Sequence, residues 1–299
     1  MANYLLAGGS GFVGSLLSEI LVSKGHMVYI LSTKKRTSTH SNIQFVLWDT
    51  KNKYIDKSFS LEKCNIINLA GAGVADKRWT KARKNEIIDS RLDSLNTLFA
   101  AIEQGQLKPL HMVSASAIGY YGEGDKVFTE LDHSDESFLS STCKRWEDAA
   151  FKFSDFKIPI AIVRIGIVMG IEGGALKEFL KPLKFGITGI PSDGKQIYSW
   201  IHRADLCSMI CFLAEKNMNG IYNAVAPNPS TLNEIFDEIL KVKRGVRIHA
   251  PAFAIKILLG EMAIEILKSS KVSSRKIESE GFSFKYPTIN NCIQSLLNG

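Results

Sequence analysis

Cysteine is scarce and poorly placed for bridges: the 299 residues hold five (Cys64, Cys143, Cys207, Cys211, Cys292), an odd number with no Cys-x-x-Cys pair. That excludes a disulfide framework and leads to the expectation of a reducing, cytoplasmic setting. The six histidines are equally scattered, so no zinc spacing exists and no metal site is expected. Long apolar runs are missing too. The longest candidate, residues 250–267, is broken by Lys256, Glu261 and Glu265 and reads as an amphipathic helix or helix pair, so no membrane partner is expected. Met1 leads at once into a strand-like run without a basic segment or cleavage signal, so no secretory leader is expected. Internal repeats and low-complexity linkers are also lacking.

What is there suits a globular protein with a sizeable core: 45% of residues are hydrophobic and 22% charged. Thirty-seven Lys and Arg against 30 Asp and Glu give a net charge of +7, which favours anionic ligands such as phosphates. Lys241, Lys243, Arg244 and Arg247 gather near a helix end, but no recognition motif accompanies them, so nucleic acid is not expected as a partner.

Along the first half, strand and helix signals alternate. Strand-like runs lie at 4–7, 26–32, 43–47, 65–69, 110–114 and 158–168, with helical periodicity at 12–24, 86–102 and 141–153. This alternation predicts a parallel, doubly wound α/β sheet. After Gly170 the glycines at 173, 174, 186, 189 and 194 interrupt the pattern. Strand signals return at 197–201 and 221–224 around a helix at 204–215, and the tail from Thr231 is mostly helical with an extended piece at 282–286. The expected division is a nucleotide-binding domain over 1–170, completed by about 197–226, with a smaller cap from 171–196 and 227–299.

The first turn reads Gly8-Gly9-Ser10-Gly11-Phe12-Val13-Gly14, set directly between strand one and helix one. Gly8 permits a tight turn, Gly11 lets backbone approach a diphosphate, and Gly14 lets helix pack on strand. The amides from Ser10 to Val13 then face phosphate at a helix N-terminus. The end of the second strand carries Ser32-Thr33-Lys34-Lys35-Arg36 in place of the acidic residue that bonds an unphosphorylated ribose. Thr33, Lys34 and Lys35 therefore favour a 2′-phosphate, and NADP(H) over NAD(H). Asp49 is a candidate for the adenine, and the small residues Ala70 and Gly71 after strand four let a cofactor lie close. Gly189 to Lys195 imitates a nucleoside-triphosphate loop, but Gln196 replaces the required hydroxyl residue and Pro191 interrupts it.

These segments resemble the extended short-chain dehydrogenase/reductase superfamily, and within it an atypical branch described as nucleoside-diphosphate-sugar epimerases. The resemblance rests on GGSGFVG at 8–14, NLAGAGVADKRWT at 68–80, SR at 90–91 and SASAIGYYG at 114–122. CKRWE at 143–147, SWIHRADL at 199–206, YNAVAPNP at 222–229 and LLGEMA at 258–263 continue it in order over nearly the whole chain. It implies a Rossmann-type sheet with a smaller, mostly helical C-terminal substrate domain, an NAD(P)(H) cofactor and a small-molecule substrate in the class of nucleotide sugars. The superfamily's chemistry uses a Ser or Thr with a Tyr-x-x-x-Lys pair, and here none of the eight tyrosines is followed four residues later by lysine.

The helix where that pair belongs carries Cys143 and Glu147 instead, one turn apart. Cys143 is either a proton carrier or a small packing residue, and Glu147 either a ribose ligand or a surface charge. Ser116 is the preferred catalytic hydroxyl, with Ser114 beside the cofactor. Tyr121 is a phenolic donor or a core aromatic, and His202 a titrating group at the pocket edge or a hydrogen-bonded strand residue. Asp205 is expected to cap the helix it precedes. Lys77, Arg78 and Trp79 are candidates to line the cleft. Arg91 and Arg164 are each either an anion contact or half of a structural ion pair. Two functions follow: an NADP(H)-dependent epimerase-like oxidoreductase acting on a small hydroxy or carbonyl compound, or an NADP(H)-binding redox sensor or partner-binding module with little catalysis.

Overall fold

Strands that are apolar on both faces need helices on both sides, and this chain supplies them in alternation. The computed structural model describes residues 1–298. It opens with β1 (Asn3–Ala7), α1 (Phe12–Ser23), β2 (Met27–Ser32), β3 (Ile43–Asp49) and the short β4 (Tyr54–Ile55). Then come β5 (Leu61–Asn68), α2 (Lys81–Glu103), β6 (Leu107–Ala117), β7 (Gly124–Phe128) and α3 (Phe138–Phe151). β8 (Ile160–Ile165), β9 (Ile167–Met169), α4 (Gly174–Leu180), β10 (Ile187–Pro191) and β11 (Ile197–Tyr198) follow. After β12 (Trp200–His202), α5 (Arg203–Glu215) and β13 (Gly220–Ala224), the rest is largely helical. It includes α6 (Leu232–Val242), α7 (Ala252–Leu259), α8 (Ala263–Leu267) and a closing helix, Ile289–Leu297.

The central sheet runs β13-β8-β6-β5-β1-β2-β3-β4, parallel throughout except where β4 returns antiparallel to β3. The chain builds outward from β1 to β3, then crosses back to β5 and builds the other way. Strand order therefore reverses beside β1, where folds of this kind leave a crevice at the carboxyl ends. This is a Rossmann-like α/β fold. Leu17 and Leu21 of α1 and Leu206, Ile210 and Leu213 of α5 bury one face of the sheet. Leu95 and Leu98 of α2 and Trp146 and Ala150 of α3 bury the other. A third apolar cluster joins Leu176, Trp200, Phe236, Ile239 and Ile293.

The expected strand 158–168 is two strands, and the break falls at Gly166. A Cβ there would lie 2.6 Å from the Ser199 carbonyl oxygen and 2.8 Å from Val225, so the chain leaves the main sheet at a point only glycine fits. β9 pairs instead with β12, which splits the expected strand 197–201 in the same way. The 250–267 run is a helix pair, divided at Gly260 with φ +61°. No helix among the described residues is long and apolar enough to cross a membrane. Residues 282–286 form no strand. They are fixed by Asp205, whose carboxylate accepts from the amides of Lys285 and Tyr286, each at 2.9 Å. Asp205 is therefore not the cap of α5.

Candidate dinucleotide cleft and the buried network beside it

The turn after β1 has no room for side chains where its glycines stand. Gly8 has φ +80°, and a Cβ on it would meet the Leu69 carbonyl carbon at 2.9 Å; one on Gly14 would lie 2.2 Å from the Gly8 oxygen. Gly11 differs. Its backbone is extended (φ −81°, ψ 178°), and a Cβ would meet only the Gly8 oxygen, at 3.2 Å. No side chain caps α1 at Gly11, which leaves the leading amides of the helix, those of Phe12 and Val13 included, for an outside acceptor. Ser10 is exposed at the lip of the turn. These features fit a dinucleotide's diphosphate. The Phe12 ring is used differently. It lies in a notch of Gly170, Gly173 and Gly174, where added Cβ atoms would come within 2.5, 2.7 and 3.1 Å of it. Arg203 covers the ring at 4.5 Å and bonds Ser15 Oγ at 2.8 Å. Phe12 thus fastens the 170–174 loop to the turn.

At the end of β2, buried Ser32 folds the chain back: its hydroxyl donates to the Lys34 carbonyl at 2.8 Å and accepts the Lys34 amide at 3.3 Å. Thr33, Lys34 and Lys35 are left exposed, and among the described residues neither lysine has a carboxylate within 4.0 Å. Asp49 is occupied by its own turn, accepting from the Lys51 amide at 3.0 Å and the Asn52 side chain at 2.8 Å. Ala70 donates to Asn68 at 3.2 Å, and Gly71 continues the loop.

Beside this crevice lies a continuous buried network. Ser116 at the end of β6 donates to Glu147 Oε1 at 2.6 Å. Arg164 of β8 grips both oxygens of the same carboxylate, Nε to Oε1 at 2.9 Å and Nη2 to Oε2 at 2.8 Å. Its Nη1 donates to the Tyr121 hydroxyl at 2.9 Å, which donates to Asn223 Oδ1 at 2.7 Å. The Asn223 amide donates to Glu130 at 2.9 Å. Ser116 and Arg164 are each 1% exposed and Glu147 5%, so the charges neutralise one another out of reach of bulk water. Burial alone works to lower the Arg164 pKa, but the Glu147 carboxylate outweighs it and the pKa is raised. Burial pushes the Tyr121 phenol up to about 12 against the pull of Arg164.

Four sequence candidates, Ser116, Tyr121, Glu147 and Arg164, thus share one network, and Cys143 adjoins it. Burial, and then the Glu147 carboxylate, push the Cys143 thiol up to about 12, with Arg91 and the Ser116 hydroxyl opposing. Ser114 lies two residues back on β6, buried among strands, and its hydroxyl donates to the Ala115 carbonyl at 3.4 Å. His202 lies outside the network. Its Nδ1 accepts the Ala204 amide at 3.0 Å as the cap of α5, its Nε2 meets Ser295 at 3.2 Å, and its ring lies 3.9 Å from that of Tyr286. Burial, then Lys285 and Arg203, lower its pKa to about 4. Trp79 donates to Val74 at 2.7 Å and packs edge-on against Phe138, while Lys77 and Arg78 are exposed. Asn223 and Glu130 were not singled out from sequence. A lone arginine in the apolar run of β8 was the available signal, because so buried a charge demands partners.

Comparison with known proteins agrees with this geometry. Residues 4–224 match the NAD dependent epimerase/dehydratase family, and residues 250–296 match a domain of unknown function, DUF1731. The epimerase family protein YfhF of Bacillus subtilis is 33% identical over 300 residues, covering 99% of this chain and 98% of that protein. The crystal structure of human epimerase family protein SDR39U1 with NADPH superposes with a TM-score of 0.89 at 26% identity, covering 99% of both chains. MoeE5 in complex with UDP-glucose and NAD gives 0.79 at 19% identity, over 99% of this chain and 98% of that one, a likeness of fold. With the family matched across most of its length and a relative this similar end to end, the chain belongs to the NAD-dependent epimerase/dehydratase family.

Proposed function

We propose that this protein is an NADP(H)-binding, epimerase-like oxidoreductase acting on a small hydroxy or carbonyl compound, with nucleotide sugars the first class to test. The observation that carries the reading is the uncapped start of α1 above a turn in which Gly8 and Gly14 leave no space for a Cβ. The Gly11 amide closes the turn onto the Gly8 carbonyl at 3.0 Å, so the amides of Phe12 and Val13 would hold the diphosphate, Thr33, Lys34 and Lys35 the 2′-phosphate, and Ala70 and Gly71 would line the floor. The NADPH named with the human relative supports the phosphorylated cofactor. When bound, the nicotinamide supplies or accepts hydride.

The chain's own part is the movement of a proton. Ser116 donates to Glu147 and keeps its lone pairs for a substrate hydroxyl. Glu147, held by Arg164, fixes the direction of that hydroxyl and stands as the acceptor behind it. Neither Cys143 nor Tyr121, each at about 12, supplies a base near neutral pH.

The second reading is an NADP(H)-binding sensor with little turnover. Ser116 at 1% exposure favours it, because a substrate reaches that hydroxyl only after neighbouring side chains move. Titration with NADPH and NADH tests the cofactor assignment. NADPH should bind tighter by about tenfold or more, and Lys34→Glu with Lys35→Glu should abolish the difference. Equal affinities in the unaltered protein would overturn it. Turnover of nucleotide sugars or simple carbonyls that is lost in Ser116→Ala favours the enzyme, and none on any of them favours the sensor.

A further inference from the structure

Three arginines drawn in from the surface each hold a carboxylate. Arg83 pairs with Glu86 at 2.7 Å and Asp76 at 3.4 Å, Arg164 with Glu147 at 2.8 Å, and Arg203 with Glu172. Arg91, on α2, is half-buried, yet among the described residues no Asp or Glu lies within 4.0 Å of it. Asp89 and Asp93 are two residues away along the helix, which turns them from it. Arg91 Nη1 donates to the carbonyls of Ala72 at 3.0 Å and Ile87 at 2.8 Å. Its guanidinium lies 4.8 Å from the Trp146 ring centre, and a Cβ on Gly71 would come within 3.1 Å of it. The group is thereby fixed between the loop after β5 and α3. Burial lowers its pKa from the ordinary arginine value.

A fixed, part-buried cation without a counter-charge is costly. With Nη1 spent on two carbonyls, Nε and Nη2 remain as a two-pronged edge with no acceptor among the described residues, the geometry that matches a carboxylate or phosphate. The loop Arg91 touches, at Gly71 and Ala72, is the one whose Leu69 backs the Gly8 turn, and Cys143 feels its charge from α3. We infer that Arg91 recognises an anionic group, carboxylate or phosphate, on the small-molecule substrate through its Nε/Nη2 edge. This rests on the cofactor reading above, and it narrows the substrate to acids: hydroxy or keto acids, sugar acids or phosphate esters.

Calorimetric titration of the full chain, first with NADPH and then, at saturation, with inorganic phosphate and with malonate, tests it. The expected result is binding of at least one anion, weakened about tenfold or more in Arg91→Gln, while NADPH affinity stays within about twofold. Arg91→Lys, which keeps the charge without the fork, should fall between. The inference is overturned if neither anion binds the unaltered protein, or if Arg91→Gln binds both unchanged. It is also overturned if that substitution lowers NADPH affinity instead, which would assign Arg91 to the cofactor's diphosphate. Should both variants unfold, bromide soaked into crystals of the unaltered protein decides: an anomalous peak against Nε and Nη2 supports the inference, and none there overturns it. Failure of NADPH to bind would sink the cofactor reading alone, because phosphate and malonate can still be titrated into the free protein.

Discussion

Glu147 stands where the resemblance leads one to expect lysine, and its charge is answered from the neighbouring strand by Arg164. A lysine at 147 would place two cations against each other, so the exchange and the arginine act as a unit. Breaking one half of a buried pair leaves an uncompensated charge, which costs about 3–5 kcal/mol. Glu147→Gln should therefore lower unfolding free energy by about that amount, measured by denaturant titration. Glu147→Gln combined with Arg164→Met should recover part of it; equal losses in the single and double variants would contradict the pairing. The motif CKRWE was readable as an exception to the family pattern, and Arg164 as a charge in an apolar strand. Their meeting was not readable, because it depends on α3 packing over β6 and β8, a contact between a helix and a strand 17 residues on that no local spacing encodes. Sequence likewise left Arg91 and Arg164 indistinguishable, and only the positions of carboxylates separate them.

At the scale of elements, His202 shows how one residue type can point to a site and serve a helix. As the cap of α5 it accepts an amide on Nδ1, which requires the neutral ring. Its pKa is about 4 in the fold and about 6.5 in the unfolded chain, so the unfolded state binds the extra proton between those values. Its contribution is complete above about pH 6.5 and is lost as pH falls toward about 4, at most about 3 kcal/mol. Asn keeps a capping oxygen without titrating. Thermal melts from pH 7.5 down to about 4.5 should show a shallower loss for His202→Asn than for the unaltered protein, and parallel curves would contradict the assignment. The parallel strands and the helices over them were legible from periodicity and glycine punctuation. Short strands such as β9 and β12 were merged with their neighbours, because a break at Gly166 reflects the approach of Ser199 and Val225 from distant sequence.

For the whole molecule, the order of the strands does what no single motif can. It sets the Gly8–Gly14 turn, the exposed lysines after β2 and the loop at Ala70 and Gly71 at the ends of β1, β2 and β5, three strands that lie side by side. It also brings the ends of β6 and β8 together, so that Ser116 and Arg164, paired across the strands, meet the same carboxylate. Gly11 is the position where fold and ligand make different demands: its backbone conformation suits any residue and an added Cβ would press on the Gly8 oxygen alone, at 3.2 Å, whereas a bound diphosphate would need the space above it. Calorimetric titration of NADPH into the unaltered protein and into Gly11→Val, with thermal melts of both, is the most direct test. Saturable binding that vanishes in a variant melting within a few degrees of the original is the predicted result. Undiminished binding by Gly11→Val, or none by the original, would contradict the account.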